Sequence, residues 1–266
     1  MAAIPPLPRA EPPFWGTALI DPLPLEELLD LINQHDLLIG WWRAKPKNAS
    51  AAEWERLRQG IYLPILDRLK QTHRTSGVLT PRGVHGYFLC RPRGESLEVF
   101  IPTPQEGSSI APPQRTPDAV LSFPRGREGT SVADYFATDH PSGLQVLPLQ
   151  AVTVGPGATI ACDALMAADD YTEYLYLHGL AVELAEAAAE WTHRRVRTQL
   201  RLPTAVGKRY SWGYPSCPST EEQRIVERLL QTSRIGLELT AGAAWLPEQS
   251  TAAVVTLHPQ ARYWNR

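Results

Sequence analysis

The sequence is poor in cysteine, in methionine and in net charge. Its 266 residues include three cysteines and two methionines, and the formal net charge is −2 at pH 7. Cys90, Cys162 and Cys217 form no paired framework and no C-x-x-C motif, which favours a reducing, cytoplasmic location. A chain so close to neutral has no electrostatic reason to bind nucleic acid or an anionic membrane, so neither is expected as a partner.

Long apolar runs and the common catalytic signatures are also absent from the sequence. No segment approaches the length of a membrane span, and the N-terminus lacks the basic and apolar regions of a signal peptide. There is no G-x-S-x-G, Walker, H-E-x-x-H or G-x-G-x-x-G motif. These absences leave no residue to assign as catalytic.

Proline, in contrast, is abundant, and its 25 residues indicate many breaks and irregular connections. Residues 1–13 are rich in proline and have little to bury, so we expect a disordered or extended tail there. No break in composition divides residues 14–266, which we therefore expect to form one domain.

Hydrophobic periodicity predicts helices first, strands next, a long helix, and then strands again. Helices are predicted over residues 25–42, 51–74, 169–197 and 221–230, with a short helical turn over 131–136. Strands are predicted over residues 84–89, 97–101, 119–123, 144–154, 235–239 and 252–257, with a polar loop over 105–116 and a turn over 155–157. Because strands and helices are grouped rather than alternating, this order predicts an α+β fold.

The stretch over residues 207–218, G-K-R-Y-S-W-G-Y-P-S-C-P, is too irregular for a helix. Arg209 carries a planar fork suited to a carboxylate or a phosphate, and Gly213 permits close approach of another group. The aromatic residues and prolines around them favour a rigid cradle for a small polar ligand. The alternative is a proline-rich surface turn with an ion-paired arginine, in which Cys217 is either a reactive thiol or a small buried residue.

The long predicted helix places Glu186, Glu190 and His193 on one face, because their spacings are four and three residues. The E-x-x-H pattern is half of a di-metal carboxylate site, but the sequence contains no second copy. Two alternatives remain for this helix face. It is either a solvated surface with ion pairs to arginines such as Arg194, or a surface on which one glutamate faces the Arg209 loop and binds an ammonium or another cation.

Taken together, these segments resemble the C-terminal activation domain of cobalamin-dependent methionine synthase. The strongest element is R-x-x-x-G-Y-x-x-C-P over residues 209–218, followed by L-A-E-A-x-A-E-x-x-H-x-x-V-R over residues 184–197. Weaker matches lie at residues 81–84, at residues 131–134 and at the H-P-x-A-R-Y ending over residues 258–263. The resemblance implies an α+β single domain with a bent, mainly antiparallel sheet flanked by helices.

The resemblance also implies a function. In that family the domain binds S-adenosylmethionine, and the larger enzyme moves a methyl group from methyltetrahydrofolate to homocysteine through cobalamin. When the cobalt is oxidised to cob(II)alamin, reduced flavodoxin or a similar donor supplies an electron, and S-adenosylmethionine restores the methyl group. The expected cofactors are therefore S-adenosylmethionine and cobalamin, the latter carried by a partner chain.

Carried over residue by residue, the resemblance assigns the ligand carboxylate to Arg209 and its α-ammonium to Glu186. Main-chain groups up to Gly213 would contact the adenine, and Tyr214 and Tyr263 would form walls. Further candidates for the site are Asn33, Gln34, Glu190, His193, Tyr210 and Cys217. No residue is assigned as catalytic or as a metal ligand.

Two departures from the family stand out. The family carries a ligand-binding aspartate in the first helical region, where this sequence has Asn33 or Gln34, with Asp36 close by but out of register. The cobalamin signature D-x-H-x-x-G is absent, so we expect a free-standing subunit acting in trans on a separate cobalamin-bearing chain. The alternatives are a non-catalytic binding or structural module with lost or weakened ligand binding, and a metal enzyme using Glu190 and His193.

Overall fold

A computed structural model describes residues 4–102 and 116–264. Two predicted segments lie partly outside these ranges. They are the first three residues of the tail, and the polar loop over 105–116 except its last residue. Among the described helices, none combines the length and the hydropathy needed to cross a membrane.

A seven-stranded antiparallel sheet forms the centre of the molecule, with six strands in the order β4-β3-β2-β5-β9-β6 and the seventh, β1, paired with β2. The strands are β1 (Gly16–Ile20), β2 (Arg82–Arg93), β3 (Ser96–Phe100), β4 (Ala119–Ser122), β5 (Gln145–Thr153), β6 (Arg209–Ser211), β7 (Glu238–Leu239), β8 (Trp245–Leu246) and β9 (Ser250–Val255). The long strand β2 pairs with β5 along one edge and with β1 and then β3 along the other. β7 and β8 form a separate hairpin.

Helices cover the sheet, so the predicted α+β fold with a bent antiparallel sheet flanked by helices is confirmed. They are α1 (Leu25–Asp30), α2 (Ala51–Leu57), α3 (Leu63–Thr75), α4 (Pro156–Ala167), α5 (Tyr171–Gln199) and α6 (Gln223–Leu230). Successive residues of β5 point to opposite faces of the sheet, as in any β-strand. Leu149 packs in the core that contains α6, whereas Val152 packs in the core that contains α1, α3 and α5.

Helix α5 is the longest element and forms the base of the candidate site. Asp170 caps its start by accepting a hydrogen bond from the Glu173 amide, and Arg197 lies in its last turn. Both charges suit the helix dipole. The carbonyl of Ala189 accepts a hydrogen bond from Gln150 of β5, so the helix is fixed to the sheet by a polar contact as well as by packing. The predicted range over 169–197 differs from this helix by two residues at each end.

The prediction of one helix over residues 25–42 is wrong. Helix α1 ends at Asp30, and a π-helical turn follows at Asp36–Trp41. That turn packs against α5 where Gly179 leaves room, since a Cβ there would lie 2.8 Å from Trp42 Cδ1 and 2.9 Å from Trp41 Cβ. The tertiary contact thus overrides the simple helical periodicity of the segment. The predicted helix over residues 51–74 is likewise divided, into α2, a π-helical turn and α3.

Four elements, α4, β1, β6 and β8, were missed, and one predicted strand was too long. The turn predicted over 155–157 is the start of α4, where Gly155 has a φ of 86° and Pro156 takes the first helical position that suits proline. Strand β1 was not predicted. The strand predicted over 235–239 is reduced to β7, because a 3₁₀ turn occupies Thr232–Ile235.

Residues 4–13 are extended rather than disordered in this structure. The Leu7 amide donates to the Ala137 carbonyl at 3.0 Å, and the Leu7 carbonyl accepts from the Asp139 amide at 3.2 Å. The Ala10 amide donates to Gln145 Oε1 at 3.0 Å. These contacts place the segment against the loop before β5, and the domain boundary at residue 14 stays a prediction.

Candidate functional site

The stretch over residues 207–218 folds as a short strand and a tight turn. Its strand β6 pairs with β9 at the edge of the sheet. Gly213 has a φ of 88°, a conformation that favours glycine, and its amide donates to the Cys217 carbonyl at 2.8 Å. The turn leaves Tyr214 62% exposed, while Cys217 is fully buried. Burial strongly raises the pKa of the Cys217 thiol, so this residue belongs to the core.

Arg209 and Glu186 meet where β6 passes α5. Arg209 Nη2 lies 2.7 Å from Glu186 Oε2, and the Arg209 side chain is only 18% exposed. The hydroxyl of Tyr263 donates to the Arg209 carbonyl at 3.1 Å, which holds the C-terminal segment beside the pair. The structure therefore brings together three residues that the sequence analysis placed at one site.

A first cavity of about 280 Å³ is lined by both residues of the Arg209–Glu186 pair. Its walls are mainly aromatic and its polar groups come from the pair and from two serines. The lining residues are Glu186, Arg209, Tyr210, Ser211, Tyr214, Pro215, Ser216, Tyr263 and Trp264. Such a site, apolar with a few polar groups converging on it, is typical of small-molecule binding.

A second cavity of about 650 Å³ shares Glu186, Arg209 and Tyr214 with the first. Its walls are acidic. The lining residues are Leu31, Asn33, Asp36, Trp41, Val182, Glu183, Glu186, Ala187, Glu190, Arg209 and Tyr214. Because the Arg209–Glu186 pair lines both cavities, they adjoin at this pair, and together they are called the cleft below.

Glu183 contributes a buried carboxyl group to the second cavity. Its side chain belongs to a residue only 5% exposed, and its Oε1 accepts a hydrogen bond from Trp41 Nε1 at 3.0 Å. Burial raises the pKa of Glu183 to about 7, and the negative charges of Asp36 and Glu186 add to this effect against the Trp41 hydrogen bond. The group is therefore poised to titrate near neutral pH.

The first helical region presents Asn33 and Asp36 to the same cavity. The Asn33 side-chain amide donates to Asp36 Oδ2, which fixes that carboxylate at the start of the π-helical turn. Gln34 instead accepts a hydrogen bond from Arg58 Nη2 at 3.4 Å and does not line either cavity as described. The cavity thus receives a carboxylate from Asp36, although Asp36 is out of register with the family aspartate in the sequence.

Glu190 and His193 form a separate polar cluster toward the end of α5. Glu190 lies 2.9 Å from Arg194 Nε, 3.5 Å from Arg197 Nη2 and 3.4 Å from His193 Nδ1. Burial alone would raise the pKa of Glu190, but its hydrogen bonds and these cations lower it to about 2. Burial lowers the pKa of His193. Within residues 4–102 and 116–264, no group of three or more His, Cys, Asp or Glu side chains is arranged to hold a metal ion.

Residues 63–266 match the family model described as vitamin B12 dependent methionine synthase, activation domain. The chain belongs to this family. This activation domain is 30% identical over 285 residues to methionine synthase of Mycobacterium tuberculosis (strain ATCC 25618 / H37Rv), and 32% identical over 286 residues to methionine synthase of Mycobacterium leprae (strain TN). Each match covers 96% of the chain and 23% of the relative, so the chain spans less than a quarter of these enzymes.

The fold of the activation domain also matches a solved structure. The crystal structure of the MetH reactivation domain bound to AdoHcy superposes with a TM-score of 0.76 and 23% sequence identity. The match covers 97% of this chain and 83% of that one. At this level of identity the likeness concerns the fold, which agrees with the sheet and helices described above.

Two acidic residues of the activation domain's cleft were missed by the sequence analysis as site residues. Glu183 is three residues before Glu186 and therefore on the same helix face, so the E-x-x-E spacing could have found it. Asp36 had no such signal, since its position depends on the π-helical turn that brings it to α5.

Proposed function

We propose that this activation domain binds S-adenosylmethionine in the cleft and supports the reductive methylation of cob(II)alamin in a cobalamin-dependent methionine synthase. The observation that carries the proposal is the Arg209–Glu186 pair at the junction of the two cavities. The amino-acid end of S-adenosylmethionine holds a carboxylate and an ammonium on one carbon. A guanidinium and a carboxylate 2.7 Å apart can accept both groups at once.

In this proposal the bound ligand separates the Arg209–Glu186 ion pair and forms one ion pair with each of the two residues. Arg209 takes the α-carboxylate in a fork pairing, and Glu186 takes the α-ammonium. Main-chain groups between Arg209 and Gly213 contact the adenine, and Tyr214 and Tyr263 form the walls beside it. Asp36 supplies the second negative charge, which the ligand-binding aspartate provides in the family. Asp36 can do so because it lines the same cavity as Glu186.

The charge of the cleft fits the ligand. S-adenosylmethionine carries a sulfonium and an ammonium against one carboxylate, so its net charge is positive. The second cavity is lined by four carboxyl groups and one guanidinium, namely Asp36, Glu183, Glu186, Glu190 and Arg209. Aromatic faces are further suitable neighbours for a cation. The MetH reactivation domain was solved bound to AdoHcy, which is the demethylated form of the proposed ligand, and this adds support to the proposal.

The chain's own task is to bind and orient the ligand. Bound S-adenosylmethionine supplies an activated methyl group, and no acid, base or nucleophile from the protein is required for its transfer. Holding the methyl group toward an incoming acceptor is the contribution expected from Arg209, Glu186 and the two tyrosines. Tyr214 and Tyr263 are more than half exposed, so the cleft is open to a large partner.

We further propose that the corrinoid is carried by a separate chain on which this domain acts in trans, with flavodoxin or a similar protein as the electron donor, in the cytoplasm. The motif D-x-H-x-x-G is absent from these 266 residues, so other residues must hold the cobalamin, and the assay below tests whether a separate chain supplies them.

The experiment mixes the purified chain with a cobalamin-bearing methionine synthase fragment lacking its own activation domain, S-adenosylmethionine and reduced flavodoxin. Absorbance spectra should show loss of cob(II)alamin and formation of methylcobalamin. Arg209→Ala should abolish the change. Arg68→Ala removes an equal charge from an exposed pair with Glu173, outside both cavities, and should not. Equal spectra with and without the wild-type chain would refute the role in reactivation.

A second candidate is a non-catalytic binding module that keeps the fold and has lost the ligand. Asn33 favours it, because an uncharged residue stands where the family has a ligand-binding aspartate. This candidate predicts stable association with a cobalamin-bearing chain and no saturable binding of S-adenosylmethionine by the chain or by the complex.

A further inference from the structure

We propose that Glu183 is a specificity-determining residue that reads the charge of the bound ligand, so that the cleft prefers the cationic sulfonium of S-adenosylmethionine to the neutral thioether of S-adenosylhomocysteine. The inference rests on the proposed function and deepens it. It concerns a residue that the sequence motifs do not single out.

The Glu183 carboxyl group is anchored at one oxygen and open at the other. Oε1 accepts from Trp41 Nε1 at 3.0 Å, which fixes the side chain in a residue only 5% exposed. Within the described residues Oε2 has no hydrogen-bond partner. This oxygen is also not one of the fully buried polar atoms that lack a partner, so it remains accessible. Because Glu183 lines the second cavity, its carboxyl group borders the space that the ligand would occupy.

The charged groups that face Glu183 come from three elements. Glu186 and Glu190 lie on the same face of α5, Asp36 comes from the π-helical turn, and Arg209 comes from β6. The guanidinium is paired with Glu186 at 2.7 Å and is therefore partly neutralised. Glu183 thus has carboxylates on two sides and no cation of its own within the described residues, an arrangement that an added positive charge would relieve.

Methyl transfer changes the charge of the ligand. The methyl group leaves without the bonding electron pair, which stays on sulfur, so the sulfonium becomes a neutral thioether. Burial and the neighbouring carboxylates raise the pKa of Glu183 to about 7 in the free protein. A nearby sulfonium favours the carboxylate, and its loss lets Glu183 take up a proton from solvent. The product is then held less tightly than the substrate.

The test is calorimetric titration of the full chain with S-adenosylmethionine and with S-adenosylhomocysteine at pH 6 and pH 8. Between these pH values the affinity for S-adenosylmethionine should rise about fivefold relative to that for S-adenosylhomocysteine, as linkage requires when the sulfonium lowers the pKa of Glu183 by about one unit. Titrations at pH 7 in buffers of different ionisation enthalpy should show proton release with S-adenosylmethionine alone.

Glu183→Gln is the decisive variant, because glutamine keeps the volume and the acceptor for Trp41 and cannot ionise. It should reduce the relative change between pH 6 and pH 8 to less than about twofold. Glu190→Gln is the matched control. It also removes a carboxylate from the cavity wall, but the pKa of Glu190 is about 2, so this variant should keep the pH dependence. A denaturation curve for each variant establishes that it is folded.

The outcomes separate the inference from the proposed function. If both ligands bind with the same pH dependence, or if Glu183→Gln keeps the difference between them, the inference is overturned and the proposed function stands. If neither ligand binds the wild-type chain at any pH, the proposed function fails and the inference fails with it.

Discussion

At the scale of the residue, the Arg209–Glu186 pair explains how the free protein tolerates an arginine side chain that is largely removed from solvent. An unpaired guanidinium with only 18% of its side chain exposed would carry a large desolvation penalty, and Glu186 at 2.7 Å offsets it. A zwitterionic ligand end can enter without leaving either charge alone, because it brings one partner for each. The pair thus stabilises the free protein and also holds in place the two charges that would bind the amino-acid end of the ligand.

Glu183 should make the free energy of unfolding fall as pH rises. Its folded pKa is about 7 and its ordinary value is 4.5, so above pH 4.5 the unfolded state ionises first and is favoured. Glu183→Gln should therefore be more stable than the wild type above pH 7, by up to about 3 kcal/mol, and equally stable near pH 4. Urea denaturation across this range measures the difference. A constant difference at all pH values would show that Glu183 is not perturbed.

Glu190 should show the opposite behaviour from the same helix. Its folded pKa of about 2 lies below the ordinary 4.5, so its contribution is present above pH 4.5 and is lost as pH falls toward 2. Its side chain is 34% exposed, and solvent screening reduces the expected effect. Glu190→Gln should destabilise the chain at pH 7 by about 1–2 kcal/mol, with the difference vanishing near pH 2. An unchanged urea midpoint at pH 7 would contradict this.

At the scale of the element, the contact between α5 and the π-helical turn at Asp36–Trp41 builds the acidic cavity. The turn supplies Asp36 to the wall and Trp41 to Glu183, and it approaches α5 closely because residue 179 is glycine. One small residue in the helix therefore determines whether the two elements can form a common site.

Gly179→Ala should destabilise the chain, although alanine is the better helix former by about 1 kcal/mol. The added Cβ would lie 2.8 Å from Trp42 Cδ1 and 2.9 Å from Trp41 Cβ, so the turn must move. A loss of roughly 1–3 kcal/mol is expected, together with weaker S-adenosylmethionine binding. Gly60→Ala is the control, since no atom lies within 4 Å of its Cβ, and it should be neutral or stabilising. Equal effects of the two substitutions would contradict the close contact.

The sequence predicts the elements whose signals are local. Helix α5 carries Asp170 at its start and Arg197 near its end, and it lies within two residues of the predicted range. Helix α4 was missed because Pro156 follows a glycine and was interpreted as a turn, although proline also begins helices. The division of residues 25–42 follows from packing on α5, which no local pattern contains.

The same distinction applies to the candidate site. Arg209, Tyr214, Glu186 and Tyr263 lie in sequence motifs, and the structure brings them to one cleft. Asp36 reaches that cleft only because the N-terminal region folds against α5, a contact that no sequence motif contains.

At the scale of the whole molecule, the sheet separates two cores, and the N-terminal segment closes one edge of the fold. Pro5 accepts a hydrogen bond from His258 Nε2 at 3.1 Å, and Pro8 accepts one from Gln145 Nε2 at 3.2 Å. With the Leu7 contacts, these bonds connect the start of the chain to the segment after the last strand, to β5 and to the loop before β5. The proline-rich composition is therefore compatible with an ordered, extended segment.

Deletion of residues 1–13 should lower the free energy of unfolding by about 1–3 kcal/mol. Several hydrogen bonds at roughly 0.5–1.5 kcal/mol each are lost, some of them from buried partners such as Gln145 and His258. Urea denaturation of the full and shortened chains measures the change. An identical midpoint and slope would show that the segment is not held as described.

The central claim is that Arg209 anchors S-adenosylmethionine in this cleft. Calorimetric titration of the wild-type chain should give saturable binding with one site. Arg209→Ala should lose at least about thirtyfold in affinity, because removal of a buried charged partner costs on the order of 2–5 kcal/mol. Arg68→Ala, which loses the same charge from an exposed pair, should bind like the wild type. Binding by Arg209→Ala at wild-type affinity would contradict the account.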